Sequence, residues 1–306
     1  MQNTISPKEI GNKIIRYKGN PIISKKDFPS DYLYILNPGA IKHNNVYYLL
    51  LRVADSKKIS HFFLATSKNG TDFNVDKSPI LSPKTSEEAK GIEDSRITKI
   101  NDGFYITYTA YSQKGAAVGL LETTDFKHFK RLGIIFPPDN KDVVILPEKI
   151  NGKYFAYHRP MGEMGKPFSI WTSTSPDLIH WGEHKPVLSP DLGSWDSEKV
   201  GAGAVPIKTE KGWLHIYHGV SDNVYRLGVA LFDLDNPAKL IRKSKNYILA
   251  PEKDYEKIGW ISNVVFTCGA ILEDNGEVKI YYGAADSSVC LAIAKLQDLI
   301  EIAEKY

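Results

Sequence analysis

The stretch EDSRITKINDGFYITYTAY (residues 93–111) decides the fold of this chain. An apolar strand leads into the polar turn at Asn101, Asp102 and Gly103, and a second strand follows in which aromatic residues alternate with other types. Asn, Asp and Gly tolerate the left-handed backbone of tight turns, and alternation is typical of a half-buried strand. The stretch therefore predicts a β-hairpin.

The same pattern of apolar strand, Asn- or Gly-containing turn and aromatic strand occurs four more times. The other copies are NPGAIKHNNVYYLLLRV (37–53), PEKINGKYFAYHRP (147–160), GAVPIKTEKGWLHIYHGV (203–220) and CGAILEDNGEVKIYYGAAD (268–286). Alignment on the turns puts Arg52, Ala110, Arg159, Gly219 and Gly283 in register. Self-similarity at such a period indicates a repeat architecture.

Each hairpin is followed by a further strand and a looser turn containing Asp or Asn. These segments are ATSKNGTDF (65–73), LETTDFKHF (121–129), TSTSPDLIHW (172–181), ALFDLDNPAKL (230–240) and AIAKLQDLI (292–300). One unit thus holds about four strands, as one propeller blade does. We predict an all-β fold, a five-bladed β-propeller with a central active-site channel, in which residues 1–306 form one catalytic domain with short N- and C-terminal arms. A pair of β-sandwiches with accidental similarity is the alternative.

Helices are expected only from about Glu87 to Gly91 and from Leu296 to Lys305. The composition excludes disorder as the main state, since 42% of residues are hydrophobic and 25% charged. The net charge of +3 with no basic block gives no support to nucleic-acid binding. We expect no membrane span and a cytoplasmic location, because no apolar stretch reaches about 18 residues and the first 20 residues lack a secretory apolar core. Both cysteines are expected to be reduced core residues.

Polar residues gather at or just beyond the ends of the predicted inner hairpins. In a propeller these ends meet at one mouth of the channel, where an unpaired buried charge is costly. We therefore expect a site there, built from a set that spans all five repeats: Asn37, Arg52, Glu93, Asp94, Arg96, Arg159, Lys199, His218 and Asp286.

Asp94 is the candidate proton donor. Two other roles stay open for it, as the acceptor of a hydrogen bond from a sugar hydroxyl or as a structural partner of Arg96. Glu93 should point the other way along an extended strand, so only one of the two carboxylates is expected in the cleft. Glycoside hydrolysis needs two carboxylates, and the remaining members of the set are mainly basic. Guanidinium and ammonium groups bind phosphate, which could itself act as the nucleophile.

Other features carry less chemistry. Each arginine could simply pair with a nearby acid, and Tyr108, Tyr111, Trp195 and Tyr217 could stack on sugar rings or fill the blades. The sequence has no HExxH pair, no Walker loop and no GxSxG elbow, so we expect no metal and no cofactor.

Several ordered motifs resemble glycoside hydrolase family 130 over nearly the whole chain. They are GIEDSRITKINDGFYITYTAY (91–111), YHRP (157–160), SPDLIHW (175–181), EKVGAGAVPI (198–207), IYHGV (216–220), YRLGVALFDLDNP (225–237) and YYGAAD (281–286). The resemblance implies a five-bladed propeller and an inverting β-mannoside phosphorylase, which converts a β-mannoside and inorganic phosphate into α-mannose 1-phosphate and a free sugar. Ser95 stands where the family usually has proline, which could loosen the turn.

The resemblance also implies residue roles. Asp94 corresponds to the general acid, whose proton passes through the 3-hydroxyl of the mannosyl unit. Phosphate binding falls on Arg159, Lys199 and His218. Substrate binding falls on Asn37, Arg52 and Asp286, and we add Glu93 and Tyr108 to the substrate-binding set.

Two other functions stay open at this stage. A hydrolase of the same fold would need a base, for which Glu93, Glu148 and Glu198 are available, and a non-catalytic sugar-binding propeller would need neither acid nor cations. We slightly favour β-1,2-mannobiose or oligomannan over β-1,4-mannooligosaccharide as the substrate. Linkage should depend on loops 53–60, 111–117 and 161–167, and an N-terminal arm outside the repeats is compatible with a homo-oligomer.

Overall fold

The structure is a computed structural model that describes residues 10, 12–161 and 168–305. Residues 162–167 of the predicted specificity loop 161–167 lie outside the described residues. Two short strands come first, β1 (Ile14–Arg16) and β2 (Ile23–Ser24), followed by a 3-10 turn at Lys25–Asp27. Sheet then dominates the chain, as the turn-and-aromatic pattern predicts.

Four antiparallel strands in sequence order form each of the first three blades. Blade 1 contains β3 (Tyr32–His43), β4 (Val46–Asp55), β5 (Ser60–Ser67) and β6 (Asn74–Val75), and blade 2 contains β7 (Gly91–Ile100), β8 (Gly103–Ser112), β9 (Gly115–Thr123) and β10 (Lys130–Phe136). A single parallel bridge between Ser60 and Gly91 joins the two. Blade 3 contains β11 (Asn140–Ile145), β12 (Tyr154–Pro160), β13 (Ile170–Ser175) and β14 (Gly182–Leu188).

Blade 4 has its innermost edge in two pieces. It contains β15 (Lys199–Ala202) and β16 (Ile207–Thr209), both paired with β17 (Gly212–Ser221), then β18 (Val224–Phe232) and β19 (Leu240–Lys243). A short helix, α1 (Asp254–Lys257), precedes blade 5, which contains β20 (Val265–Leu272), β21 (Glu277–Ala284) and β22 (Ser288–Lys295). The chain ends in helix α2 (Leu296–Lys305).

The N-terminal segment completes the last blade. Strand β1 pairs with β22 along Ile14–Ala294, Ile15–Ile293 and Arg16–Ala292, and β2 pairs with the other end of β22. Strand β20 also contacts β3 of blade 1, which brings the first and last blades together. The five-bladed propeller is thus held shut by chain segments from both ends. The described part of the N-terminal arm is used within the chain, and a homo-oligomer stays a prediction.

The hydrophobic core is divided into layers between neighbouring blades. Leu49 and Leu51 of β4 pack with Tyr281 of blade 5, whereas Leu50 between them packs with blade 2 around Ile97 and Phe104. Both faces of a middle strand are therefore buried. This explains why these strands have aliphatic and aromatic residues at consecutive positions. Further layers lie between blades 2 and 3, blades 3 and 4, and blades 4 and 5.

Two local expectations need correction. The predicted helix near 87–91 is a 3-10 turn at Ser86–Glu88 followed directly by β7, because Gly91 already pairs with Tyr111. The predicted register is also one residue late in two blades. Arg52 and Arg159 are each the seventh residue after the turn of their hairpin. The seventh residue is Thr109 in blade 2, where Ala110 was predicted, and His218 in blade 4, where Gly219 was predicted. The predicted C-terminal helix and the two buried, free cysteines are confirmed.

Candidate active site

The innermost strands of blades 2 and 3 each contain a β-bulge near their first residues. The pairing of β7 with β8 slips between Glu93 and Arg96, and the pairing of β11 with β12 slips between Lys141 and Val144. Asp94 and Asp142 sit inside these two bulges with φ of 53° and 55°. A bulge re-aims side chains locally and is common next to active sites. Both carboxylates are thereby set at the same level of neighbouring blades.

Asp94 lies in a hydrogen-bonded group drawn from blades 1 and 2. Its Oδ1 accepts hydrogen bonds from Asn37 Nδ2 and from Arg52 Nη1, each at 3.0 Å. Arg52 Nη2 donates to Glu93 Oε1 at 2.7 Å, and its Nε donates to Ser60 Oγ at 2.9 Å. Arg52 therefore fixes two adjacent carboxylates from one guanidinium group.

The expectation that only one of Glu93 and Asp94 lies in the cleft is wrong. Strict alternation would put them on opposite faces, but the left-handed backbone of Asp94 breaks the alternation, so both carboxylates contact Arg52 on the same side of the strand. Only Asp94 also lines the cavity described below. Ser95, at the usual proline position, is fully buried and donates from Oγ to Leu50 O at 3.0 Å. Its hydroxyl thus ties blade 2 to blade 1.

The carboxylates around Arg52 have opposite electrostatic environments. Burial opposes ionisation of Asp94, but Arg52, Arg96 and Lys141 outweigh it, so the pKa of Asp94 is lowered. Burial raises the pKa of Glu93 despite Arg52. Burial also raises the pKa of Asp286 to about 6, with the charges of Asp94 and Glu93 adding to the effect and Arg52 opposing it. In the free site Asp94 is thus the carboxylate held most firmly ionised.

A cavity of about 130 Å³ adjoins this group and is lined by charged side chains of blades 2 to 4. Its lining contains Asp94 itself and the three predicted phosphate-binding residues Arg159, Lys199 and His218. The remaining lining residues are Lys141, Asp142, Met161, Phe168, Tyr225 and Phe266. The structure therefore brings the acid candidate and the basic candidates into contact with one small space.

Asp142 was missed by the sequence reasoning and is the central anion of this cavity wall. Its Oδ2 accepts a hydrogen bond from Arg159 Nε at 2.8 Å and forms an ion pair with Arg159 Nη2, also at 2.8 Å. Arg96 Nη2 lies 3.3 Å from its Oδ1, and His218 Nε2 lies 3.6 Å from its Oδ2. Burial opposes ionisation, but Arg159, His218 and Arg96 hold the pKa of Asp142 well below its usual range. The recurrence of Asp at the same bulge as Asp94 is the signal that could have identified it.

His218 and Lys199 both have lowered pKa values in this cavity, and burial is the first cause for each residue. Burial, together with the nearby Arg159 and Arg96, lowers the pKa of His218 to about 3 despite Asp142, so its ring is neutral at ordinary pH. Neither ring nitrogen has a hydrogen-bond partner among the described residues. Lys199 Nζ donates to the Tyr225 hydroxyl at 2.7 Å, which leaves the hydroxyl hydrogen of Tyr225 available to another acceptor. Tyr225 is a second residue that sequence reasoning missed.

Arg96 proves to be a structural residue on the channel axis. Its side chain is 1% exposed and donates to Asp94 O, Gly203 O and Ala202 O at 2.8, 3.1 and 2.9 Å. These carbonyls belong to blade 2 and blade 4, so one guanidinium group bridges the inner strands across the axis. It reaches the backbone of Asp94 rather than its carboxylate, which leaves that carboxylate free for Asn37 and Arg52.

Tyr108 is not brought to the site. Its ring packs in the layer between blades 1 and 2, edge-on to Phe62, and its hydroxyl donates to Glu88 Oε1 at 2.6 Å. We correct its predicted role from substrate contact to packing, because its one polar atom is already paired in the core. Among the described residues, the other predicted site residues gather around Arg52 or the cavity.

Comparison with known proteins gives three further findings. A family model described as beta-1,4-mannooligosaccharide phosphorylase matches residues 4–305. The chain is 44% identical over 243 residues to a β-1,2-mannobiose phosphorylase of Listeria innocua, covering 79% of this chain and 68% of that protein, and 38% identical to a 1,2-β-oligomannan phosphorylase of Thermoanaerobacter sp., covering 94% and 99%. The solved Listeria innocua enzyme in complex with β-1,2-mannobiose superposes with a TM-score of 0.91 at 35% identity, covering 95% of this chain and 99% of that one.

Proposed function

Because the chain belongs to glycoside hydrolase family 130, we propose that it is an inverting β-mannoside phosphorylase acting through Asp94 and a phosphate bound in the adjacent cavity. The observation that carries the proposal is the shared wall: Asp94 lines the same cavity as Arg159 and Lys199. Phosphorolysis requires a proton donor beside a small cavity with basic side chains that can hold phosphate, and Asp94 and this cavity provide both. A non-catalytic sugar-binding protein would have no use for it.

The reaction divides between the two halves of the site. We propose that the mannosyl unit lies against Asn37, Arg52, Glu93 and Asp286, whose polar groups can bind its hydroxyls. Asp94 supplies the proton for the departing sugar, by way of the mannosyl 3-hydroxyl as the family resemblance implies. An oxygen of phosphate forms the new bond to the anomeric carbon from the face opposite the leaving group, so a β-linkage gives α-mannose 1-phosphate.

Phosphate binding also prepares the acid. The pKa of Asp94 is low in the free site because cations outweigh burial, which is unsuitable for a proton donor. A phosphate dianion in the adjoining cavity adds negative charge next to Asp94 and offsets those cations, and like charge disfavours the ionised carboxylate. The acid would therefore take up its proton only when the nucleophile is in place, which discourages cleavage by water.

Hydrolysis is the weaker alternative because the available glutamates lie elsewhere. Glu148 forms an exposed ion pair with Lys208, and Glu198 accepts the Asp222 backbone N–H at 2.7 Å. Glu93 is paired with Arg52. None of the three lines the described cavity wall that would hold the attacking water, whereas three basic side chains do.

We further propose β-1,2-mannobiose or a short β-1,2-oligomannan as the substrate, since the relatives at 44% and 38% identity act on these compounds. Inorganic phosphate is the co-substrate, and the acid and phosphate together need no cofactor. No helix among the described residues is long and apolar enough to cross a membrane. We place the reaction in the cytoplasm, because the sugar phosphate conserves the bond energy only where cellular enzymes can use it.

The reverse reaction tests both the activity and the linkage. Purified protein is incubated with α-mannose 1-phosphate and mannose, and the disaccharides formed are compared with β-1,2- and β-1,4-mannobiose standards by chromatography. We expect β-1,2-mannobiose and released phosphate. Exclusive formation of the β-1,4 product would overturn the linkage, and no phosphate release would overturn the phosphorylase assignment.

A further inference from the structure

Asp142 is an unusual group to find in a cavity meant for an anion. We propose that Asp142 makes the cavity selective for hydrogen phosphate, by accepting a hydrogen bond from the phosphate hydroxyl and rejecting dianions of the same shape that carry no proton. The inference rests on the proposed function, since it assigns a specificity-determining role within that phosphate site.

Cations alone cannot tell hydrogen phosphate from sulfate. Lys141, Arg159 and Lys199 offer only N–H donors, and these suit any tetrahedral dianion equally. The Tyr225 hydroxyl, already accepting from Lys199, is a donor as well. A cavity lined only by such groups would bind sulfate and phosphate alike, so any discrimination must come from an acceptor in the wall.

Asp142 is such an acceptor, and it retains capacity for one more bond. Arg159 occupies Oδ2 with the Nε hydrogen bond and the Nη2 ion-pair contact, both at 2.8 Å, and Arg96 donates to Oδ1 at 3.3 Å. A carboxylate has about four lone-pair sites, so one on Oδ1 is left. Asp142 has a side chain that is 1% exposed, and Arg159, His218 and Arg96 stabilise its negative charge. Asp142 therefore stays ionised and can accept hydrogen bonds but not donate them.

The cost of a wrong anion follows from burial. Sulfate would place an oxygen without hydrogen against an ionised, desolvated carboxylate, which leaves that carboxylate unpaired and adds repulsion. Sites built to bond a substrate hydroxyl reject analogues that lack it by large factors, up to about 10⁴-fold or more. Hydrogen phosphate and hydrogen arsenate each carry one hydroxyl and satisfy Asp142.

The same bond would also orient the nucleophile. With the protonated oxygen held at Asp142, the three unprotonated oxygens face the cations and the sugar. The attacking oxygen is then one that carries charge, and its proton-bearing neighbour stays as a hydroxyl in the product. Selectivity and correct orientation of phosphate thus come from one contact.

Four anions test the proposal on the unmodified protein by isothermal titration, without sugar present. Phosphate and arsenate should bind, while sulfate and monofluorophosphate, dianions of similar size without a hydroxyl, should bind about 100-fold more weakly or worse. Equal binding of all four would overturn the role of Asp142. Because the titration needs no turnover, this outcome is separate from a failure to form sugar phosphate, which would overturn the proposed function.

Substitution then assigns the selectivity to the residue. Asp142→Asn keeps the shape but adds N–H donors, so the ratio of phosphate to sulfate affinity should fall by about 10-fold or more. Asp196→Asn is the matched control, since Asp196 is an equally buried carboxylate that pairs with Lys243 and Tyr217 outside the cavity. An unchanged ratio in Asp142→Asn would contradict the proposal and shift the role to the other acceptors of the cavity wall, Asp94 and the neutral ring of His218. Should Asp142→Asn not fold, the four-anion comparison decides alone.

Discussion

Arg159 pairs with Asp142 in the structure and binds phosphate in the proposed mechanism. Replacing Arg159 should therefore change both the stability of the fold and the KM for phosphate. In Arg159→Ala, Asp142 loses the Nε hydrogen bond and the Nη2 ion-pair contact, both at 2.8 Å, and keeps the hydrogen bond from Arg96 at 3.3 Å and the His218 ring at 3.6 Å. The Asp142 side chain is 1% exposed in the wild-type structure. Removing one partner of a buried ion pair costs roughly 3–5 kcal/mol. Because Arg96 still compensates part of the charge, we expect the lower end, a loss of about 3 kcal/mol in the free energy of unfolding.

The double variant Arg159→Ala/Asp142→Asn provides the internal check. Neutralising the abandoned carboxylate should recover at least about 1 kcal/mol of the loss. Arg96 loses its ion pair in this variant but keeps its backbone carbonyl acceptors. The recovery must not extend to function. A lost charged hydrogen bond is worth about 1.5–3 kcal/mol, so the phosphate KM should rise roughly 10- to 150-fold in Arg159→Ala. It should rise at least as much in the double variant, which also lacks the proposed acceptor for the phosphate hydroxyl.

Equilibrium urea unfolding measures the first quantity, and initial rates of sugar phosphate formation at varied phosphate measure the second. The assigned coupling between Arg159 and Asp142 is wrong if the unfolding free energy of Arg159→Ala lies within about 0.5 kcal/mol of wild type, which is close to the error of the extrapolation. It is also wrong if the double variant is no more stable than the single variant. An unchanged phosphate KM would remove Arg159 from the phosphate site.

Three more predictions concern other residues. Asp94→Asn should lower kcat by about 10²–10⁴-fold with unchanged thermal unfolding, because the amide keeps the hydrogen-bonding shape but has no proton to give; turnover within tenfold of wild type would exclude Asp94 as the acid. The pKa of Asp286 is about 6 in the fold against an ordinary 3.8, so its ionisation destabilises the fold as pH rises from about 4 to about 6, by up to roughly 3 kcal/mol. Asp286→Asn should therefore be more stable than wild type in urea at pH 7 but not at pH 4, and a stability gain equal at both pH values would contradict this. Tyr108→Phe should cost about 1–2 kcal/mol of unfolding free energy through the lost bond to Glu88, with both KM values within about twofold of wild type; a large rise in the mannoside KM would restore Tyr108 to the substrate-binding set.

The fold was accessible from sequence because its signals are local. The turns at Asn44–Asn45 and Asn151–Gly152 use left-handed backbone that these residue types favour. Each hairpin is built from neighbouring residues, so five copies of one pattern suffice to identify the blades. The pairing of β1 with β22 joins segments about 280 residues apart and leaves no local trace, so it could not be predicted.

Only some of the site residues could be predicted from the sequence, because the others depend on contacts between distant segments. Arg52, Arg159 and His218 occupy equivalent positions in three blades, which the repeat alone nearly reveals. Bulges, by contrast, are set by packing at the crowded axis, and the bulge in β7 brings both Glu93 and Asp94 into contact with Arg52. Asp142 was overlooked because its significance depends on the same bulge, and Tyr108 was misplaced because an alternating strand does not say which face meets a neighbouring blade.

Phosphate dependence of the products is the most direct test of the account. β-1,2-mannobiose is incubated with the protein with and without inorganic phosphate, and the products are followed by ³¹P and ¹H nuclear magnetic resonance. A phosphorylase acting through Asp94 should give α-mannose 1-phosphate and one free mannose with phosphate, and negligible cleavage without it. Release of two free mannose molecules independent of phosphate would contradict it, and so would a β-configured sugar phosphate.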